Sequence, residues 1–482
     1  MTSQPLSNYR WSVCALLFFA TTINYLDRQV LSLTWKDFIV PEFHWRNNDY
    51  GNITAVFSIV YAGSMLFAGR LVDWMDTKRG FLWSIGIWSI GACLHAFCGI
   101  ATSGILTGNW FVGFEEAKEL IGRVGDIGAV VSVSVTLFVF ARVILAIGES
   151  GNFPAAIKAT AEFFPKKDRG FATSIFNAGA TVGALAAPLT IPFIAAAYGW
   201  EASFVIIGAL GFVWMGFWIF MYKKPHDHPR VNAAELAYIQ QDDVADRELI
   251  SGGQVSVPRR KMSFAQAFKY RQTWAFAAGK FMTDGVWWFF LFWTPAYLSS
   301  VYNLDSTESA WHIFTLYALT LLSIIGGWLP TYFVDKQGMN PYAGRMKSML
   351  IFAFFPLLTL LAQPLGHISV WIPVIIIGIA GAAHQAWSAN IFSTIGDMFP
   401  RSSVATITGI GGMAGGVGAF LINKGSGVLF DYSVDTNMKF MGFEGIESGY
   451  FIIFAICAIS YLIGWFIMKS LVPHYEPITD ID

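Results

Sequence analysis

The sequence predicts an all-α membrane protein, with about twelve transmembrane helices arranged as two pseudo-symmetric six-helix bundles. Three observations carry that prediction. Only 13% of the 482 residues are charged and 55% are hydrophobic, with a mean hydropathy of +0.51; soluble domains carry about 25% charge. Apolar runs of about 20 residues or more, long enough to cross a bilayer, follow one another from Trp11 to Leu471. A polar stretch at 223–272 divides them into six and six, and the two sets share landmarks.

In order, the runs occupy 11–36, 51–74, 80–103, 130–163, 168–198, 202–222, 273–300, 309–334, 346–364, 369–398, 403–430 and 448–470. Basic residues collect in the turns that follow even-numbered runs: Lys78/Arg79, Lys166/Lys167/Arg169, Lys336/Arg345/Lys347 and Arg401. By the positive-inside rule those turns and both termini are cytoplasmic. The first run continues through Asn24–Arg28 without a small-residue cleavage site, so no removable signal peptide is expected. The chain thus divides into an N-terminal bundle (1–222, with an outward insertion at 104–129), a cytoplasmic loop (223–272), a C-terminal bundle (273–471) and a tail (472–482).

The loop should hold a short helix from Asn232, with Glu235 placed for a capping box. Its basic run Arg259-Arg260-Lys261 suits the anionic inner leaflet. His226 and His228, two apart in a solvated loop, are not expected to hold a metal. In the insertion, Trp110, Phe111, Phe114, Leu120 and Ile121 can share one side of a helix lying at the outer interface. Cys14, Cys93, Cys98 and Cys457 all fall in apolar runs without metal-ligand spacing and read as small core residues.

The halves repeat one another. The fourth run ends Glu162-Phe163-Phe164-Pro165 and the tenth ends Asp397-Met398-Phe399-Pro400. Glycines follow at matching offsets, Gly179 and Gly183 after Arg169, Gly411 and Gly415 after Arg401. Small residues four apart let helices approach closely. Sixteen residues before each proline stand Glu149 and His384, one ionisable group at the same depth in each half.

Arg142 and Glu149 lie inside the fourth run, two helical turns apart, so they point the same way about 10 Å apart along the axis. A charge at bilayer depth costs roughly 2.5–3.5 kcal/mol and is kept where it faces a bundle interior or a wet cavity. Either the pair ties the helix to a neighbour, or it is the coupling site of a transporter.

Further motifs resemble the major facilitator superfamily. Gly69-Arg70-Leu71-Val72-Asp73 is similar to its loop signature, with Trp74 and Asp76 replacing a basic residue and the second glycine. Gly327 with Asp335-Lys336-Gln337-Gly338 is a better copy in the second half, and the resemblance makes Gly69, Asp73, Asp335 and Lys336 a conformational motif. Within the superfamily the anion:cation symporter branch is nearer. Asn24-Tyr25-Leu26-Asp27-Arg28 resembles its first-span motif, and Arg142 with Glu149, Phe153-Pro154 and Phe163-Phe164-Pro165 its fourth-span pattern. Gly199-Trp200-Glu201 matches its turn after the fifth span, with Glu201 where arginine is common. Lys280-Phe281-Met282-Thr283-Asp284 with Trp287-Trp288, and Ala383-His384-Gln385-Ala386-Trp387-Ser388, look like the hexuronate (glucuronate/galacturonate) transporters. The resemblance covers nearly the whole chain apart from the insertion.

A hexuronate offers a carboxylate and a ring of hydroxyls. The resemblance implies that Arg28 binds the carboxylate, which guanidinium chemistry favours, and that Tyr25 and Tyr61 are substrate tyrosines. Lys280 and Asp284, one turn apart, should pair; His384 and Gln385 are candidate hydroxyl partners; Trp287, Trp288 and Trp387 are candidates to stack on a sugar face; Asn177 is a further contact. Where some sugar-acid relatives carry a polar residue, Gly412 stands here.

Symport needs a carboxyl group whose proton affinity responds to the substrate. Asp27 and Glu149 are the expected protonation sites, with Arg142 regulating Glu149. If an anion takes Arg28, a carboxylate that relied on that cation protonates more readily, so anion and proton favour each other's binding. The proton is the expected coupling ion and sodium the alternative; another organic anion such as an aldonate is the alternative substrate. No cofactor or metal is expected, and the partners are a small sugar-acid anion and the lipid bilayer, with the chain working as a monomer. A net charge of −1 gives no field for nucleic acid. With no P-loop, metal-ligand spacing or nucleophile pattern, an enzyme is not expected. A transporter-fold sensor is the competing class, disfavoured because the 223–272 loop is too short for a signalling domain. The expected location is a bacterial inner membrane.

Overall fold

A computed structural model describes residues 5–241, 262–400 and 403–478, except the side chains of residues 73, 166, 167, 170 and 405. Arg259-Arg260-Lys261, Arg401 and the side chain of Asp73 therefore lie outside the described residues.

Twelve long helical elements follow in order: α1 (Tyr9–Thr34), α2 (Asn47–Met75), α3 (Thr77–Ala96, continued by Cys98–Thr107), α4 (Ile127–Glu149 and Asn152–Phe163), α5 (Lys166–Tyr198), α6 (Trp200–Met221), α7 (Arg271–Tyr302), α8 (Ala310–Leu319 and Ile324–Gln337), α9 (Pro341–Phe354, extended by irregular turns), α10 (Trp371–Met398), α11 (Val404–Asp435) and α12 (Ile446–Leu471). Among the described residues, nine helices are long and apolar enough to span a membrane, and the α3 pair, bent by 53°, makes a tenth. The other two, α1 and α7, carry Asn24, Asp27 and Arg28, or Lys280 and Asp284, within their apolar sequence. Polar groups in spans are tolerated where they face the interior; Asn24, Asp27, Arg28 and Lys280 are all buried.

The repeat has a packing basis. A Cβ at Gly179 or Gly183 would strike the α1 backbone at Phe18 or Thr22, and one at Gly411 or Gly415 would strike Phe276 or Asp284 of α7. So α5 lies on α1 as α11 lies on α7, each through small residues. The carboxylates that end α4 and α10 have matching jobs. Glu162 accepts from Thr77 Oγ1 (2.5 Å) at the start of α3 and from the Tyr222 hydroxyl, while Asp397 takes Arg345 of α9 at 2.6 Å.

We call the end that carries the insertion the outer end. There the bundles are latched together. The Arg46 guanidinium meets Asp435 at 2.6 Å, Asp431 accepts from the backbone N–H of Asn47 (3.0 Å) and Asn48 (2.9 Å), and Asp37 accepts from Ser299 and Ser306. Beneath lies an aromatic plug. Trp35 stacks on Tyr50 at 4.1 Å, Trp293 packs edge-on against both, and the Tyr50 hydroxyl donates to the Phe292 carbonyl at 2.8 Å. The outer gate is shut. At the inner end, by contrast, Asp335 and Lys336 are exposed and a Cβ on Gly327 would meet nothing within 4 Å. In the α2–α3 turn Asp76 takes φ 69°, a conformation that favours glycine, at the place of the signature's second glycine.

Two local expectations need correction. The insertion helix is shorter than the apolar spacing implied, Phe114–Gly122, because α3 runs on to Thr107 and turns at Gly108. Trp110 and Phe111 precede that helix; Trp110 packs over Gly104 and Phe111 is fully exposed. The helix docks on protein through buried Ala117 and Ile121, and Lys118 bridges Glu115 (3.1 Å) and Glu201 (3.3 Å). In the cytoplasmic loop, Asn232 caps Ala233–Ile239 by accepting from the Glu235 N–H at 2.9 Å. The reciprocal half of the capping box is not made. The Glu235 carboxylate instead pins the start of α1, accepting from the N–H of Tyr9 (3.0 Å) and Arg10 (3.1 Å), from Arg10 Nη1 (3.1 Å) and from the Ser7 hydroxyl. His228 stacks on Tyr9 with ring centroids 4.0 Å apart.

Candidate substrate and coupling site

The site forms where α1 crosses α4. Gly148 and Gly151 let α4 press on α3, since a Cβ there would strike the Trp88 backbone or the Ser84 side chain. The helix breaks between Glu149 and Asn152, which turns Glu149 into the bundle. Arg28 meets it side-on through a single oxygen: Nε (2.9 Å) and Nη2 (2.7 Å) both donate to Glu149 Oε2. Glu149 Oε1 has no hydrogen-bond partner among the described residues. Four rings surround the guanidinium, Tyr61 at 4.8 Å, Tyr25 at 5.1 Å, Trp288 at 5.2 Å and Phe57 at 5.8 Å. Aromatic faces stabilise a desolvated cation. Trp288 comes from α7, so the box closes across the two bundles. Stripping one partner from such a buried pair costs roughly 3–5 kcal/mol, because the other charge is left uncompensated.

Arg142 makes no ion pair with Glu149 among the described residues. The two-turn offset is too long for a direct contact, and Arg28 enters from α1 to take the carboxylate. All three guanidinium nitrogens of Arg142 lack a hydrogen-bond partner among the described residues, and its Cζ sits 5.3 Å from the Phe57 ring. Both oxygens of Asp27 are equally unpartnered, although the residue is 1% exposed. A buried unsatisfied polar group costs about 1–3 kcal/mol, so this arrangement is held by the rest of the fold. Asp27, Glu149 and Arg28 all lie within electrostatic reach of Arg142.

On the other bundle, Lys280 Nζ lies 2.7 Å from Asp284 Oδ2 and 4.3 Å from the centre of the Phe392 ring. Lys280, Asp284 and Trp288 succeed one another by a turn on one face of α7, so Lys280 stands about 12 Å inward of Trp288 along the axis. His384 Nδ1 and the Tyr461 hydroxyl are 2.7 Å apart, and the imidazole stacks on Trp287 at 5.3 Å. That employs His384 and one face of Trp287 within the protein. Trp387 is wholly buried with its ring edge-on to Tyr461, so it does not line the site and cannot stack on a sugar in this state. Gln385 is half-buried, Asn177 is exposed on α5, and a Cβ on Gly412 would come within 3.9 Å of Met65.

Several residues of the site carried no strong sequence signal. Phe57 touches both arginines and stands one turn before Tyr61, so the tyrosine's face would have pointed to it. Tyr461 looks like any aromatic in an apolar helix until His384 is found against it. Asn24 and Asn152 are fully buried, with amides that lack a partner among the described residues; Asn24 opens the first-span motif, while only its polarity inside an apolar run marks Asn152.

Comparison with known proteins gives the context. The sequence model described as Major Facilitator Superfamily matches residues 17–422. A hexuronate transporter of Escherichia coli (strain K12) is 27% identical over 434 residues, 89% of this chain and 89% of that one. A galacturonate transporter of Dickeya chrysanthemi is 26% identical over 342 residues, 70% of this chain and 87% of the relative. Among solved structures, an inward-facing, occupied bacterial homologue of the human lysosomal transporter Spinster superposes with a TM-score of 0.68 at 18% identity, covering 98% of this chain and 99% of that one. That likeness concerns the fold. The chain is a multi-pass membrane protein, a transporter and not an enzyme, and it belongs to the Major Facilitator Superfamily.

Proposed function

We propose that the protein is a secondary active transporter that carries an anionic sugar acid, a hexuronate, into the cell together with a proton, by alternating access of its two bundles. The observation that carries this reading is the side-on Arg28–Glu149 pair inside an aromatic box that closes across both bundles. Arg28 gives Nε and Nη2 to a single Glu149 oxygen: an incoming carboxylate can take both of these donors, and Glu149 is then a buried carboxylate without its cation. A proton moves onto Glu149 as the anion takes Arg28, so the loaded site gains no net charge and the bundles can rock around it. Tyr25, Tyr61 and Trp288 flank the substrate, Gln385 and the Lys280–Asp284 pair face its hydroxyls, and Asp27 is the second protonation site. Opening the outer side requires that the Arg46–Asp435 latch part and that the inner ends, with Gly69, Asp73, Asp335 and Lys336, come together. The membrane is a bacterial inner membrane with both termini in the cytoplasm, as the basic turns direct. The names of the relatives, a hexuronate and a galacturonate transporter, support the choice of substrate.

The test is uptake of labelled glucuronate into proteoliposomes, with and without an inward proton gradient. Accumulation stimulated by the gradient supports the proposal. Uptake that follows a sodium gradient alone replaces the coupling ion. No uptake of glucuronate or galacturonate by folded protein removes the substrate class.

A further inference from the structure

The buried ionisable groups near the site are satisfied to different degrees in the two bundles. In the C-terminal bundle the ionisable residues at the site are matched, Lys280 to Asp284 and His384 to Tyr461. In the N-terminal bundle, both amide atoms of Asn24, both oxygens of Asp27, the three nitrogens of Arg142, Oε1 of Glu149 and both amide atoms of Asn152 are buried without a hydrogen-bond partner among the described residues. Folded proteins satisfy nearly all buried polar atoms, with ordered water where protein groups do not reach. Unpartnered atoms occur elsewhere in both bundles, but these five side chains come from adjoining turns of α1 and α4. Asn24 stands one turn inward of Asp27–Arg28 on α1, Asn152 one turn inward of Glu149 on the antiparallel α4, and the Arg28–Glu149 bond fixes the two helices in register. The inner segment of α4, Asn152–Phe163, packs directly against α1.

We propose that Asn24 and Asn152 are the inner wall of a hydrated chamber within the N-terminal bundle, bounded also by Asp27, Arg142 and the open oxygen of Glu149, through which the coupling proton passes between the two carboxyls by way of water. Each transfer breaks the O–H bond of one carboxyl as a water oxygen takes that proton, and the water yields another proton to the second carboxylate. Water returns unchanged. The two asparagines are positioning residues: their amides donate to and accept from the water and carry no charge of their own. Substrate meets Arg28 where Tyr25, Tyr61 and Trp288 face its guanidinium, so the Arg28–Glu149 pair links the sugar acid to the proton.

This inference rests on the proton-coupled reading above, and its test separates the two. Asn152→Leu and Asn24→Leu keep side-chain size and remove the polar atoms; Asn152→Ser keeps a hydroxyl. Each is reconstituted and assayed for gradient-driven glucuronate uptake and, with equal pH on both sides, for exchange of internal for external glucuronate. The leucine variants are expected to lose gradient-driven uptake tenfold or more while retaining exchange, with Asn152→Ser recovering most of it and the solvent isotope effect on uptake reporting the relay. A wild type that responds to the gradient, with leucine variants that respond equally, overturns the chamber and leaves the coupling reading standing. Loss in Asn152→Ser equal to that in Asn152→Leu, with exchange intact in both, overturns the water relay, since the amide itself would then be what is needed. A wild type that exchanges glucuronate but ignores the gradient removes the coupling reading and the relay together.

Discussion

Replacing Glu149 by glutamine isolates the exchange on which the proposed cycle turns. Glutamine keeps the shape and can still accept from Arg28, but the two bonds at 2.7 and 2.9 Å become bonds to a neutral oxygen. Arg28 stays charged, so its bonds to the glutamine oxygen remain charge-assisted, and what is lost is the attraction of the second charge, about half of the roughly 3–5 kcal/mol that breaking a buried ion pair costs. The competitor for Arg28 is therefore weakened by about 1.5–2.5 kcal/mol. Glucuronate, which must displace that competitor, should bind about 10- to 70-fold more tightly to Glu149→Gln at pH 7.5. Gradient-driven accumulation should meanwhile vanish, because the group that takes the proton is gone. With one proton per monoanion the wild type can accumulate substrate about tenfold per pH unit of gradient, and its uptake should ignore the membrane potential. Binding is read by tryptophan fluorescence, since Trp288 flanks the site, and accumulation by labelled substrate in proteoliposomes. A variant with unchanged affinity that still concentrates glucuronate refutes the reasoning.

Three further outcomes follow from groups away from the site. Arg46→Ala removes an exposed ion pair that contributes about 0–1 kcal/mol, so it should shift the protein a few-fold toward the outward-open state while Asn47 and Asn48 keep part of the latch; spin-label distances across the outer loops measure this. Glu235→Ala leaves Arg10 buried without its partner, and the N-terminal segment should become protease-sensitive at neutral pH. Burial pushes the Glu235 carboxyl up, but the hydrogen bonds from Ser7, the backbone of Arg10 and Tyr9, and the Arg10 side chain outweigh it and hold the group below the usual carboxylate range. Its stabilisation is therefore full above that range and is lost as the pH falls through the lowered value, so the wild type should become protease-sensitive only in acid. Glu42, beyond the outer end of α1, shows the opposite sign. Burial raises its carboxyl to about 7, with the hydrogen bond from Trp200 opposing. The folded state holds that proton more tightly, so stability falls as the pH rises from the ordinary carboxylate value toward 7, and Glu42→Gln should raise the melting temperature at pH 8 and leave it unchanged at pH 5.

How much was legible depended on whether the signal was local. Membrane-spanning helices and the paired glycines were readable because each follows from hydropathy or spacing along one helix. Gly179 and Gly415 did prove to be helix-crossing points. Lys280 and Asp284 pair because they are one turn apart, a relation the sequence contains. Partners across helices were another matter. Arg142 and Glu149 share a face, yet Arg28, 121 residues earlier in the chain, holds the carboxylate. Trp387 looked like a sugar platform beside His384 and Gln385, but the helix turns it toward Tyr461 of α12. Glu235 had the spacing of a capping box and was drawn away by the free N–H groups at the start of α1, which need an acceptor more than Asn232 does. The insertion spread its aromatics over a turn and a helix, so a spacing argument that assumed one continuous helix failed.

If an anion taking Arg28 drives a proton onto Glu149, binding must draw protons from solution. Purified protein in weakly buffered solution at pH 7.5 receives glucuronate while an indicator dye follows the pH. The exchange at Arg28 predicts uptake of about one proton per bound glucuronate, and none in Glu149→Gln. Tight binding by the wild type with no proton uptake would contradict it.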